Sequence, residues 1–197
     1  MKIKKNKSVC IIGLGFVGLT LSMVMANRGF KVYGVEKNEL ILSNLKKKKG
    51  HFYEPGMKEN LKKIINNKKF SFFRKIPKNK NIDTYIVTVG TPLNKRKKTI
   101  NNYIIKTCSE ISKVLKNDDI VILRSTVKVG TSRNVVSRIL KKTKKKFYLA
   151  YCPERAVEGS ALKELYILPQ IIGGMDKDSI NIASKIFKKI TKKIVTT

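Results

Sequence analysis

The segment Val9-Cys10-Ile11-Ile12-Gly13-Leu14-Gly15-Phe16-Val17-Gly18 constrains the fold of this chain more than any other. Its first half is apolar without alternation, as expected of a strand covered on both faces. A GxGxxG turn follows. A mostly apolar helix is expected to open near Phe16 and to end near Arg28-Gly29. A second strand over 31–36 then delivers Glu36, eighteen residues after Gly18. Each part has a job in holding a dinucleotide. Gly13 permits the tight turn, Gly15 lets the backbone approach a pyrophosphate, and Gly18 lets helix and strand pack closely. Phe16 and Val17 begin the helix whose free N–H groups and partial positive charge face the phosphates. Glu36 falls where an acid accepts the adenosine ribose hydroxyls. A carboxylate there favours NAD over NADP because it repels a 2′-phosphate, although Lys37 next door works against that preference. The competing reading is an α/β domain that keeps the glycine turn for packing alone.

Strands and helices alternate along the whole chain. The expected fold is therefore α/β: a Rossmann-like, doubly wound, mainly parallel sheet with helices on both faces, in one domain over 1–197. Further strands are expected over 70–73, 84–89, 119–123, 147–151, 170–173 and 193–196. Helices are expected over 38–48, 57–65, 130–140 and 176–190. Leu40, Ile41 and Leu45 are read as the inward side of the 38–48 helix. Ile104, Cys108, Ile111 and Leu115 make a one-face helical stripe. Ligands in such a sheet bind in loops after strand C-termini. Four of those loops carry distinctive residues: 13–18, 90–92, 125–127 and 153–159. They must converge on one rim.

The formal net charge is +31, from 44 Lys and Arg against 13 Asp and Glu. Runs of basic residues occur at 46–49, 95–98, 141–142 and 144–146. A basic surface attracts nucleic acid or an anionic membrane. These runs are scattered over loops and helix ends and are not interleaved with aromatics, so specific nucleic-acid binding is not expected. The field is expected to favour phosphate-rich ligands and to make their capture salt-dependent. No apolar run is long enough to cross a membrane, and the basic N-terminus lacks a signal-peptide pattern. Cys10, Cys108 and Cys152 show no metal spacing and the chain has one histidine, His51, so no metal site is expected. The expectation is a cytoplasmic protein with reduced thiols.

Five segments in order extend the glycine turn: VCIIGLGFVGLT from Val9, EPGM from Glu54, TVGTP from Thr88, RSTVKVGTS from Arg124, and YCPERAVEGSALKEL…LPQIIGG from Tyr151. Together they resemble the N-terminal NAD-binding domain of the nucleotide-sugar 6-dehydrogenases, which act on UDP-glucose, UDP-N-acetylmannosamine, UDP-N-acetylglucosamine or GDP-mannose. The CPER form followed by EG and LPQIIGG is most similar to the N-acetylhexosamine branch, with a UDP-glucose 6-dehydrogenase fragment as the alternative. The resemblance implies oxidation of a sugar C6 alcohol to a carboxylate. Two NAD+ are reduced in turn, and a catalytic Cys carries a thioester that water hydrolyses.

The resemblance also implies site residues. Thr91 lies near the cofactor, with ordinary turn chemistry as its other reading. Thr126 positions water near the reacting carbon and the nicotinamide; otherwise it caps the following turn. Glu154 is the expected catalytic carboxylate of the hydrolytic half. Glu158 contacts cofactor or substrate, or is a plain acid at a helix N-terminus. Arg155, with Ala156 beside it, is placed on substrate, or is one more surface cation. Ser125 reads as structural, His51 as incidental, and Cys152 as a small core residue and not the nucleophile. The family's nucleophile belongs to a later glycine-rich segment, of the form GGSCFPKD, past position 197. A central helix and a sugar-binding domain, with much of a homodimer interface, also lie there. This chain is therefore expected to need that domain, in cis or in trans, for complete oxidation. A stand-alone NAD-binding module and a polyanion-binding protein are the other readings.

Overall fold

A computed structural model describes residues 8–94 and 99–197. The basic run at 95–98 lies outside the described residues. Among the described residues, eight strands form one sheet in the order β3-β2-β1-β4-β5-β6-β7-β8. The strands are β1 (Ser8–Ile12), β2 (Lys31–Val35), β3 (Phe70–Phe73), β4 (Thr84–Val87), β5 (Asp119–Leu123), β6 (Phe147–Tyr151), β7 (Gln170–Gly174) and β8 (Ile194–Thr196). From β3 to β6 every pairing is parallel. β7 runs antiparallel to β6, and β8 is parallel to β7. The α/β, mainly parallel, doubly wound fold is thus present, with one reversal at its far side. The strand order reverses between β1 and β4, and a crevice opens there above the strand C-termini.

The strands are apolar throughout because both faces are covered. Val9 and Ile11 of β1 join a core with α1 (Phe16–Asn27), α3 (Met57–Asn66) and α7 (Lys177–Phe187). Cys10 and Ile12 point the other way, into a core with α4 (Asn102–Ser112) and α5 (Ser137–Lys141). The stripe of Ile104, Cys108, Ile111 and Leu115 is fully buried in that second core. Two helices are capped by side chains at the expected starts. Asn38 accepts from the Leu40 N–H ahead of α2 (Glu39–Lys46), and Asp176 accepts from the Ser179 N–H ahead of α7.

Three expectations need correction. Leu40 is 75 % exposed, while Leu42 and Leu45 are buried. Along α2, Leu42 and Leu45 lie on one side and Leu40 on the opposite side, so Leu42 takes the inward place expected of Leu40, while Ile41 and Leu45 pack inward as expected. The helix expected over 130–140 opens as a π-helical turn, Ser132–Val136, before α5 begins. The strand expected over 84–89 ends as a strand at Val87. Its next residue, Thr88, turns its hydroxyl to the glycine turn instead. A short helix, α6 (Ala161–Ile167), has no assigned span in the sequence reading. No helix among the described residues is long and apolar enough to cross a membrane.

Candidate functional site

The glycine turn sits between β1 and α1 at the point where the sheet order reverses. Gly13 adopts φ +96°, a left-handed conformation that favours glycine. Its N–H donates to the Val35 carbonyl at 2.8 Å, which ties the turn to β2. A Cβ on Gly18 would lie 1.8 Å from the Gly13 carbonyl oxygen, so α1 packs on the turn only because that atom is absent. Gly15 differs: a Cβ there would meet no atom within 4 Å. It faces open space at the N-cap of α1, with no side chain capping the helix. Leu19 N–H makes the first helical bond, to Gly15 at 2.9 Å. The N–H groups of Phe16, Val17 and Gly18 precede it at the positive end of the helix. Thr88 braces the turn from β4, donating to the Gly13 carbonyl at 2.7 Å.

Glu36 stands at the end of β2 beside this turn. One carboxylate oxygen accepts from the Leu14 N–H at 2.7 Å. The other accepts from Lys37 N–H at 2.7 Å and Asn38 N–H at 2.9 Å. The acid therefore shapes the turn as well as facing the crevice. A cleft of about 310 Å³ opens here, lined by Gly13, Gly15, Glu36, Asn38, Ile41, Thr88, Val89, Tyr103 and Lys106 among others. Its walls are mostly apolar, and Glu36 is among the polar groups lining it. Sequence reasoning missed Ile41, Tyr103 and Lys106. The last two come from α4, which no glycine motif points to. Lys37 also lines the cleft, but its ammonium pairs with Glu110 of α4 at 2.8 Å.

The other three rim loops do converge. Thr91 donates its hydroxyl to the Thr126 carbonyl at 2.7 Å, which joins the loop after β4 to the loop after β5. Ser125 is buried and donates to the Val89 carbonyl at 2.7 Å, a structural position as expected. Thr126 itself is exposed on the rim. Beneath these loops lies a knot that the sequence reading did not anticipate. Arg124 is 2 % exposed at the end of β5. Its guanidinium pairs with Glu154 and donates to the Cys152 carbonyl at 3.0 Å and to Gln170 Oε1 at 2.8 Å. The second Glu154 oxygen accepts from the N–H groups of Arg155 at 2.7 Å and Ala156 at 2.8 Å. Both oxygens of Glu154 are thus fixed. Arg155 is exposed and its guanidinium donates to the Pro169 carbonyl; Glu158 is exposed further along the same loop.

A family model described as "UDP-glucose/GDP-mannose dehydrogenase family, NAD binding domain" matches residues 7–191. The chain belongs to this family. Among curated relatives, a UDP-N-acetyl-D-mannosamine dehydrogenase of Methanocaldococcus jannaschii is 34% identical over 203 residues, spanning 100% of this chain and 46% of its own length. One from Methanococcus maripaludis is 32% identical over 190 residues, spanning 94% of this chain and 43% of its own. The chain therefore spans less than half the length of these relatives. Among solved structures, the UDP-N-acetyl-mannosamine dehydrogenase of Staphylococcus aureus superposes with a TM-score of 0.91 at 25% identity, over 96% of this chain and 47% of that one. A GDP-mannose dehydrogenase from Pseudomonas aeruginosa gives 0.88 at 27% identity, over 96% and 46%.

This is an NAD-binding domain, and its residues suit that cofactor. The open space at Gly15 leaves room for a pyrophosphate beside free helix N–H groups, and an acid follows directly on β2. The three cysteines are free and buried. Burial pushes the Cys152 thiol up to about 12, with Arg124 opposing, which disfavours the thiolate. Among the described residues no group of His, Cys, Asp and Glu is placed to hold a metal ion. Burial holds the His51 imidazole below its ordinary 6.5, against the field of Glu36. Its ring packs edge-on against Phe52.

Proposed function

We propose that this chain is the cofactor-binding part of a nucleotide-sugar 6-dehydrogenase that oxidises the C6 alcohol of a UDP-N-acetylhexosamine, UDP-ManNAc or UDP-GlcNAc, to the uronic acid. The observation that carries the cofactor half is the pairing of open space at Gly15 with Glu36 at the topological switch point. Support for the sugar class is the run of relatives named UDP-N-acetyl-D-mannosamine dehydrogenase at 32% to 34% identity. Complete oxidation requires a second domain, in cis or in trans, that binds the sugar and brings the nucleophilic Cys.

In this reading Gly13 and Gly18 build the turn, and Gly15, Phe16 and Val17 offer backbone to the pyrophosphate. Glu36 takes the adenosine ribose hydroxyls. Lys37, held by Glu110, leaves the preference for NAD over NADP intact. NAD+ supplies the hydride acceptor when bound. Thr91 and Thr126 flank its far end, where the Thr126 hydroxyl orders a water for attack. Glu154 takes a proton from that water, with Arg124 and two backbone N–H groups fixing where its carboxylate points. Arg155, Ala156 and Glu158 face the substrate side, Glu158 within reach of cofactor as well.

Calorimetric titration with NAD+ tests the first half. Saturable binding is expected, and its absence together with tight, salt-sensitive DNA binding would replace this reading by a polyanion-binding one. Mixing the chain with the sugar-binding half of a relative and following NADH from UDP-ManNAc tests the second. Saturable NAD+ binding without turnover under that complementation favours a binding module.

A further inference from the structure

Glu54 is a buried carboxylate, 5 % exposed, outside the glycine turn and the rim loops. It lies in the loop between α2 and α3. One of its oxygens accepts from the Gly159 N–H at 2.9 Å and the other from the Leu162 N–H at 3.0 Å. Those donors are 105 and 108 residues away. Neither oxygen is spent on its own loop, where only the Glu54 backbone carbonyl is used, by Met57. A buried carboxylate is costly unless its oxygens are satisfied, so this bidentate grip fixes two distant segments relative to each other.

What it joins matters. On one side, Phe52 packs edge-on against Phe16, with ring centroids 5.2 Å apart, at the first residue of α1. On the other side, Gly159 ends the loop that leaves β6 with Glu154, Arg155 and Glu158. That loop is held at its start by Arg124 on Glu154 and at its end by Glu54. Between the two anchors Arg155, Val157 and Glu158 stay exposed, with further ties from the Val157 N–H to Glu164 at 2.7 Å and from Arg155 to the Pro169 carbonyl. A dinucleotide running from Glu36 across the N-terminus of α1 carries its second half over β4, β5 and β6, which brings it to this loop.

We infer that Glu54 is a positioning residue: it clasps the loop after β6 to the wall of the glycine turn, so that Glu158 and its neighbours are already placed when the nicotinamide half of the cofactor arrives. The inference rests on the NAD-binding reading. Preordering a loop raises affinity by removing the cost of fixing it on binding. The clasp should therefore matter for NAD+ and not for ADP, which reaches only the adenosine and pyrophosphate positions.

The test compares the chain with its Glu54→Ala and Glu54→Gln variants. Amide exchange at Gly159 and Leu162 should accelerate by about tenfold or more in Glu54→Ala, with β1 amides unchanged. NAD+ affinity should fall by about tenfold while ADP affinity stays within about twofold. Equal losses for both ligands, no loss for NAD+, or unchanged exchange at Gly159 and Leu162 would each overturn the inference. Should Glu54→Ala not fold, Glu54→Gln, which keeps one acceptor oxygen, is read by the same criteria. If the unaltered chain fails to bind NAD+, the cofactor reading is what falls. Exchange in the ligand-free protein then decides alone whether Glu54 holds the loop.

Discussion

Two glycines three residues apart have opposite tolerances. Gly18→Ala forces a methyl group to 1.8 Å from the Gly13 carbonyl and should destabilise the fold by about 3 kcal/mol, measured by urea unfolding. Gly15→Ala meets no atom and keeps an ordinary φ of −63°, so stability should stay within about 1 kcal/mol. Its cost should fall on NAD+ affinity, by about tenfold or more in a calorimetric titration, the equivalent of about 1.4 kcal/mol. Equal stability losses in the two variants would contradict this division of labour. Glu36→Ala should weaken NAD+ by about 1–3 kcal/mol. It should also lower the melting temperature, because three backbone N–H groups lose their acceptor. The glycines and Glu36 were legible in sequence because spacing alone sets their geometry. Arg124 and Glu54 were not. One arginine among 44 basic residues carries no local mark of burial, and the partners of Glu54 lie more than a hundred residues away.

At the scale of elements, β5 delivers a guanidinium into the interior as much as it delivers Thr126 to the rim. Arg124→Ala strands the Glu154 carboxylate and leaves Gln170 Oε1 and the Cys152 carbonyl without a donor. Removing one partner of such a pair costs about 3–5 kcal/mol, so a large drop in the urea midpoint is expected. On α2, Leu42→Ala should cost about 2–5 kcal/mol and Leu40→Ala close to nothing, which checks the corrected inward face. The sheet from β3 to β6 was readable from alternation, since parallel neighbours need a crossover between them. The reversal at β7 was not. Strand identity is written in residue type, whereas strand direction depends on how residues 152–169 return the chain. The π-helical opening before α5 lacks a periodic signature because a single widened turn barely shifts the apolar pattern.

Over the whole molecule, a net charge of +31 meets a ligand whose binding groups are phosphates. NAD+ affinity should decline several-fold as salt rises from about 0.05 M to 0.5 M, where screening shortens from about 14 Å to about 4 Å. Stability should have both an acid and an alkaline limit. The His51 imidazole is depressed below 6.5 in the fold, so its contribution is present above that value and lost as pH falls through the folded one. The Cys108 and Cys152 thiols are raised from 9.0 to about 12, so their contribution is present below 9.0 and lost as pH rises toward about 12. Thermal melts across pH should show both slopes, and iodoacetamide should label the thiols only after unfolding.

The brace from Thr88 to the Gly13 carbonyl spans 75 residues of chain. Closing so long a loop is entropically expensive and slow, and central parallel strands reward it only when both partners have arrived. The glycine turn is therefore without its β4 wall until β1 and β4 have paired. In refolding experiments, the ability to capture NAD+ should emerge in the last kinetic phase, together with the native sheet and never ahead of it.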